Sequence, residues 1–404
     1  MRYRHADHHH SYHSHNDHAQ QSTISRRQIV AGLGAAGLSI AAAPPSLAGL
    51  VKPIAQTGAR AAAGSLFRIE RVSDSVYAAI ARPVAMINSN AAIIVGSDHA
   101  LVVDTHSKPS AAQALISQIR AEITDRPVRY CINSHFHWDH AQGNIAYPDA
   151  FGPRTEIISS TATREWLARE GAPRLRQSLE SLPKQIAERR AQLASAKTDA
   201  ERERLTETIA QMEAYLKEMN PPEKQIALPT ITFDQRLIIH HGGREVHLIF
   251  FGRGHTAGDV IVYIPSERVI ATGDLMHGIL PYMGDGYPDE WPRTLKAVEE
   301  LDFNRVVPGH GSVQQGKSIL VSFRNYLDEI NEAVTRGVER GAKLEELQRS
   351  LAPERLRSLT AGGNGARIER ELAAAFGSAL APSLKDGVAN NIADVYNYYT
   401  RRKK

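Results

Sequence analysis

Three imidazoles and a carboxylate fall within six residues in HFHWDH, at His135, His137, Asp139 and His140. Neutral imidazole nitrogens and carboxylate oxygens are donors that zinc accepts at about 2.0–2.2 Å, and a catalytic zinc keeps one position open for water. In an extended turn His135 and His137 point to one side, while Asp139 and His140 curve towards a neighbouring position. One loop can therefore feed two ions. A pair of ions needs roughly six to eight donors, and further ones stand at His255 in GRGHTAGD, Asp274 in ATGDLM and His310 in PGHG. Glycine flanks all three, which lets the backbone approach closely and adopt positive φ. Two ions sharing a water would lower its pKa from 15.7 to about 7 and polarise a carbonyl, so no Ser, Cys or His nucleophile is needed.

These residues must be held by elements that the apolar pattern predicts. From Leu66, short runs such as VYAAIA, NAAIIVG and ALVVDTH are separated by turn residues and read as a strand meander. SAAQALISQIRAEI has helical spacing at Ala112, Leu115, Ile116 and Ile119, and the strand VRYCINS then runs into His135. A second half repeats the scheme with LIIHHGG, REVHLIFFG, DVIVYIP, RVIATGD, the helix EWPRTLKAVEEL and the strand RVVPGHG. Each candidate ligand thus follows a strand, where a sheet fixes the base of a loop and leaves its tip free. The alternation predicts an α/β sandwich of two related halves, with sheets inside and helices outside.

Between the halves, at about 170–222, Leu175, Leu179, Leu182 and Ile186, then Leu205, Ile209, Met212, Leu216 and Met219, recur at helical steps. Two amphipathic helices are expected, the second opened by a capping box of Thr198 and Glu201. Such a hairpin serves as a lid, as a homo-oligomer contact, or as a solvated decoration. Residues 316–404 read as helices, with TAGGNGA as a flexible break and no catalytic group singled out.

HFHWDH, GHTAGD, the GD after a strand and PGHG, in this order, resemble the metallo-β-lactamase superfamily of dinuclear zinc hydrolases, over roughly residues 66–315 without the hairpin. The resemblance implies a four-layer αββα sandwich with an inserted helical hairpin and a helical C-terminal extension. It implies two Zn2+ per chain, the first held by His135, His137 and His255, the second by Asp139, His140 and His310, with Asp274 bridging. Asp139 would also orient the hydroxide, and Asp104 in VVDTH would support the ligand loops from behind. One β-lactamase subclass has cysteine and, three residues later, lysine where this chain has Asp274 and His277, which argues against an ordinary β-lactamase. The first expectation is a hydrolase of a cyclic amide or ester, β-lactam or lactone. A thioesterase of glyoxalase II type is the alternative, and an iron-dependent oxidoreductase on the same fold ranks below both. His277 and Tyr282 follow Asp274 closely enough to contact substrate, and His106 is a weaker candidate. His99, His240, His241 and His247 read as ordinary surface or core histidines.

Composition bounds the remainder. With 404 residues and 42% apolar residues the chain can build a proper core, and a lone cysteine, Cys131, excludes an intramolecular disulfide. Arg26-Arg27, an apolar Gly/Ala run and Ser46-Leu47-Ala48 come in the order of a twin-arginine-type signal peptide, which predicts export to the periplasm or beyond. The run is too short for a stable membrane span. Cleavage after Ala48 would remove four arginines and two aspartates from a chain of formal charge +4. What remains is nearly neutral and gives no reason to expect nucleic acid, so a small-molecule substrate is the expected partner. The tract HADHHHSYHSHNDH before residue 20 lacks ligand spacing and reads as part of the leader.

Overall fold

A computed structural model describes residues 65–82, 86, 89–377 and 381–402, so the expected leader lies outside the described residues. The first sheet contains β1 (Phe67–Arg71), β2 (Val76–Ala81), β3 (Ala91–Val95), β4 (Ala100–Val103), β5 (Val128–Ile132), β6 (Glu156–Ser160) and β7 (Ile231–Phe233), in that spatial order. The second contains β8 (Arg236–His241), β9 (Arg244–Ile249), β10 (Ile261–Ile264), β11 (Val269–Gly273), β12 (Arg305–Pro308) and β13 (Gln314–Gln315), ordered β13-β12-β11-β10-β9-β8. Meander pairs are antiparallel, whereas β4 to β7 run parallel, as do β11 and β12.

Alternation along the strands builds the layers. Val76, Ala78, Ala92, Ile94, Leu101 and Val103 meet Val246, Leu248, Val262, Ile264 and Val269 in a core between the sheets. Their neighbours Tyr77, Ala79, Ile93 and Val102 face outward onto α1 (Pro109–Glu122) and α3 (Ala146–Phe151), a turn beyond α2 (Trp138–Ala141). Both faces being covered explains why these strands are almost wholly apolar. The second sheet's outer residues, among them Ile261, Tyr263 and Ile270, pack on α7 (Trp291–Glu299) and α8 (Ser318–Glu339). The mixed α/β fold expected from the sequence, two sheets with many helices, is present.

After α4 (Thr161–Trp166) and a π-helical turn at Leu167–Gly171, the hairpin is formed by α5 (Ala172–Ser195) and α6 (Asp199–Glu218). Its apolar stripe closes on itself, with Leu175, Leu179, Leu182 and Ile186 against Ile209, Met212 and Tyr215, and Trp138 joins the same cluster. Tyr215 donates to Gln142 at 2.6 Å, and Glu218 accepts from Ser110 N–H and Oγ at 2.6 Å. The hairpin is therefore docked beside the histidine loop instead of standing off in solvent. Thr198 Oγ1 accepts from Glu201 N–H at 3.2 Å, but the Glu201 carboxylate returns to Lys197 N–H, one residue earlier than in a regular capping box.

The C-terminal part adds α9 (Leu344–Ser350), α10 (Arg357–Thr360), α11 (Asn364–Phe376) and α12 (Leu384–Arg402). TAGGNGA, expected as a flexible break, is a tight turn in which Gly362 and Gly363 take positive φ and Asn364 donates to Ser358 O at 2.7 Å. Glycine there supplies the left-handed backbone of the turn. Among the described residues, no helix is long and apolar enough to cross a membrane.

Candidate metal centre and its pocket

Four strand ends deliver the chemistry. β4 ends at Asp104, β5 leads into His135 to His140, β11 into Asp274 and β12 into His310, while His255 lies in the turn after β9. All seven expected ligands come together, six of them on loops after β5, β11 and β12, strands that are mostly buried. One group is His135, His137, His255 and Asp274, the other Asp139, His140 and His310, and within each the donor atoms lie within 4.8 Å of one another. Asp274 stands between them: Oδ2 is 3.7 Å from His255 Nε2 and 3.1 Å from His310 Nε2, and Oδ1 is 3.4 Å from His140 Nε2.

The hydrogen bonds behind the histidines settle their tautomers. A neutral imidazole has one N–H, so the nitrogen that donates outward leaves a lone pair on the other. Asp104 Oδ2 accepts from Ser134 Oγ and from His140 Nδ1, both at 2.8 Å, and Oδ1 accepts from Ser134 N–H at 2.7 Å. Having spent its proton on Asp104, Ser134 Oγ accepts from His135 Nδ1 at 2.9 Å. His255 Nδ1 donates to Tyr282 O at 3.1 Å and His137 Nε2 to Asp285 at 2.9 Å. The inward nitrogens then converge as lone pairs, with His137 Nδ1 lying 3.0 Å from His135 Nε2 and 2.8 Å from His255 Nε2. Lone pairs that close repel unless a cation lies among them. The donor set therefore fits a divalent ion, and the buried His140 Nε2 and Asp274 Oδ1, which have no hydrogen-bond partner, fit it as well.

Electrostatics point the same way. Burial, then neighbouring imidazoles, holds His135 and His255 well below the usual histidine range, so both are uncharged. Burial alone would also lower His310, but the carboxylates of Asp274 and Asp139 overcome it and push His310 up to about 10. Burial would raise Asp139 and Asp274, yet the facing His140 and His310 keep both well below the carboxylate range. A pocket that binds a proton this firmly is a pocket that attracts cations.

The backbone permits such crowding only with glycine. A Cβ on Gly309 would lie 2.1 Å from Asp274 Oδ1 and 2.8 Å from the Gly273 carbonyl carbon. Gly309→Ala is expected to destabilise the protein by about 1–3 kcal/mol and to displace Asp274, read as a lower urea midpoint together with weaker retention of a divalent metal. Asn90 fixes the same loop from across the sheets, its Nδ2 donating to Pro308 O at 3.0 Å and Gly311 O at 2.8 Å. Asp259 plays this part for His255, accepting from Thr256 N–H and Oγ1.

Sequence reasoning missed Asp285. It lies in the loop after Asp274, accepts from His137, and is held in turn by the Arg174 guanidinium of α5 at 2.8 Å. Burial would raise its pKa, but His137 and Arg174 hold the carboxylate well below its usual range. Orienting carboxylates behind ligating histidines typically contribute 10–100-fold in metal affinity. Asp285→Asn is accordingly expected to weaken divalent-metal binding by about that factor in a chelator competition, with the melting temperature little changed.

A cavity of ≈ 420 Å³ opens over the cluster, lined by His137, Asp139, Asp274 and His310 at its base. His277 and Tyr282 both line it. His277 is buried, 3.2 Å from Ile279 O, and burial holds it down at about 4, so it is uncharged at neutral pH. Tyr282 is 51% exposed, with its ring 5.6 Å from that of His137. His106, by contrast, is packed on Phe67 at 4.4 Å and bonded to Ser89, and does not reach the cavity. His241 lies against His99, and His247 lies between Arg236 and Glu245, away from the cluster.

Two sheets faced by helices, with this histidine and aspartate cluster at their strand ends, define a recognisable class. The family model of the Metallo-beta-lactamase superfamily matches residues 86–310. The chain belongs to the metallo-β-lactamase superfamily. It is 32% identical to the metallo-beta-lactamase type 2 of Bacillus cereus over 78 residues, 18% of this chain and 30% of that protein. It is 31% identical to the metallo-beta-lactamase type 2 of Bacillus sp. (strain 170) over the same length and shares. The chain thus spans about 30% of the length of these curated relatives. Among solved structures, a metallo-beta-lactamase from Pontibacter korlensis superposes with a TM-score of 0.47 at 18% identity, covering 65% of this chain and 99% of the other.

Proposed function

We propose that the protein is a metal-dependent hydrolase of a cyclic amide or ester, a β-lactam or lactone, working with two zinc ions per chain. The observation that carries this reading is the pair of adjoining ligand groups at the base of the cavity, with every assigned tautomer presenting a lone pair inward. Zinc bound there would supply a water-derived nucleophile at neutral pH and Lewis acidity towards a carbonyl. The chain's own residues do the rest. His135, His137 and His255 hold one position, Asp139, His140 and His310 the other, and Asp274 reaches both. Asp139 faces the cavity and orients the attacking water, while Asp104 and Asp285 keep the imidazoles turned inward. His277 and Tyr282 form the wall beside the scissile bond.

The absence of a charged residue at His277 favours a lactone or ester over an ordinary β-lactam. Zinc content should be measured together with turnover of nitrocefin, γ-lactones and simple esters. Two zinc ions per chain with turnover of one of these classes is the expected result, and zinc-loaded protein inert to all of them would sink the reading. Iron in place of zinc would favour the oxidoreductase alternative. Export through the twin-arginine-type leader belongs to the same proposal, and a mature N-terminus at Gly49 in periplasmic protein is its check.

A further inference from the structure

The walls of the cavity come from two segments outside the superfamily match's ligand motifs. From the hairpin side, Trp166, Leu167 and Leu175 line it, and from the C-terminal helices Leu372, Phe376 and Asp394. Phe136 of the histidine loop stacks on Trp166 at 3.8 Å and 7°, which makes a flat aromatic face continuous with the metal ligands. Charge is as informative as shape. Of the described residues lining the cavity, Arg174 is the one arginine or lysine. Its guanidinium is committed to Asp285 at 2.8 Å and lies over the Trp166 ring at 5.4 Å. Asp394 of α12 adds a further carboxylate to the lining.

We infer that the site takes an uncharged substrate whose body beyond the scissile carbonyl is an extended apolar chain or ring, held between the hairpin and the C-terminal helices. This deepens the hydrolase reading and rests on it for the reaction, but not for the binding. A substrate carboxylate far from the cluster would find Asp394 and an already paired Arg174, so it would enter the cavity without a counter-ion. An apolar chain would instead lose water against Leu175, Leu372 and Phe376, each buried methylene contributing about fourfold in affinity or kcat/KM.

The test uses p-nitrophenyl butanoate, p-nitrophenyl octanoate and the p-nitrophenyl monoester of nonanedioic acid, whose far end carries a carboxylate. On zinc-loaded protein, octanoate is expected to exceed butanoate in kcat/KM by at least ~50-fold, and the carboxylate ester to fall below octanoate on the order of 100-fold. Ser178, exposed on α5 and lining the cavity, offers a narrowing variant with little risk to folding. Ser178→Trp is expected to reduce the octanoate-to-butanoate ratio at least tenfold. A second readout avoids turnover: chelator-treated protein should bind the neutral dye N-phenyl-1-naphthylamine, displaced by decanol more readily than by decanoate. Dye binding with that order of displacement supports the inference even if no ester is hydrolysed, in which case the hydrolase reading is what fails. Hydrolysis without chain-length preference, or equal displacement by decanoate, overturns the inference and leaves the hydrolase reading standing.

Discussion

Asp139→Ala is expected to lower kcat of the proposed hydrolase, on whichever substrate the assay identifies, by about 10²–10⁴-fold, the range of a positioned proton-handling group. The side chain is 6% exposed and aimed at the base of the cavity, with Oδ2 3.4 Å from His310 Nε2 and 3.5 Å from His140 Nε2. Its backbone is held independently, since Ser89 Oγ donates to Asp139 O and the short helix α2 tolerates alanine. The substitution therefore removes a carboxylate without removing the loop's support. Two losses are combined in that factor, a ligand and an orienting group, and Asp139→Asn separates them. Asparagine keeps the shape and one acceptor oxygen but no charge, so the second ion should be held weakly while circular dichroism stays unchanged. The measurement is kcat with zinc stoichiometry on the same sample. A kcat within threefold of wild type for Asp139→Ala would remove Asp139 from the chemistry.

How far such a site shows in a sequence depends on what is local. HFHWDH, GHTAGD and PGHG each concentrate their information within a few residues, and each follows an apolar run that must be a strand. The ligand groups could therefore be collected without knowing the fold. The strands were equally legible, because strands covered on both faces are apolar at every position, as β3 and β4 are. Asp285 was not legible. Nothing near it repeats or alternates, and its meaning comes from contacts with His137 and Arg174, which are distant in sequence. Phe376 and Asp394 were hidden for the same reason, since α11 and α12 reach the cavity only through packing around α8. His106 failed in the opposite direction. It is expected as a weaker substrate contact, but a left-handed turn at His106, φ 69°, sends the ring back onto Phe67.

Asp104 carries the second large effect, and through a residue that touches no substrate. It is 2% exposed and satisfies three donors, Ser134 N–H, Ser134 Oγ and His140 Nδ1. It also sits at φ 66°, where aspartate and asparagine are tolerated better than alanine. Asp104→Ala orphans all three donors and strains the backbone, which is expected to cost about 3–5 kcal/mol and to show as a fall of roughly 4–7 °C in melting temperature. Asp104→Asn asks a sharper question. Its oxygen in the place of Oδ1 still accepts from Ser134 N–H, but its NH2 in the place of Oδ2 now donates towards His140 Nδ1. His140 must then carry its proton on Nε2, the atom that faces Asp139 and Asp274. A protonated Nε2 has no lone pair for a cation. Ser134 Oγ loses the same acceptor, so the His135 proton is unsettled too; the variant is thus expected to keep most of its stability and lose metal affinity by about 10–100-fold, measured by competition with a chromophoric chelator. Wild-type affinity in a folded Asp104→Asn protein would show that the tautomer of His140 is set elsewhere, and the network behind the histidines would lose the role assigned to it.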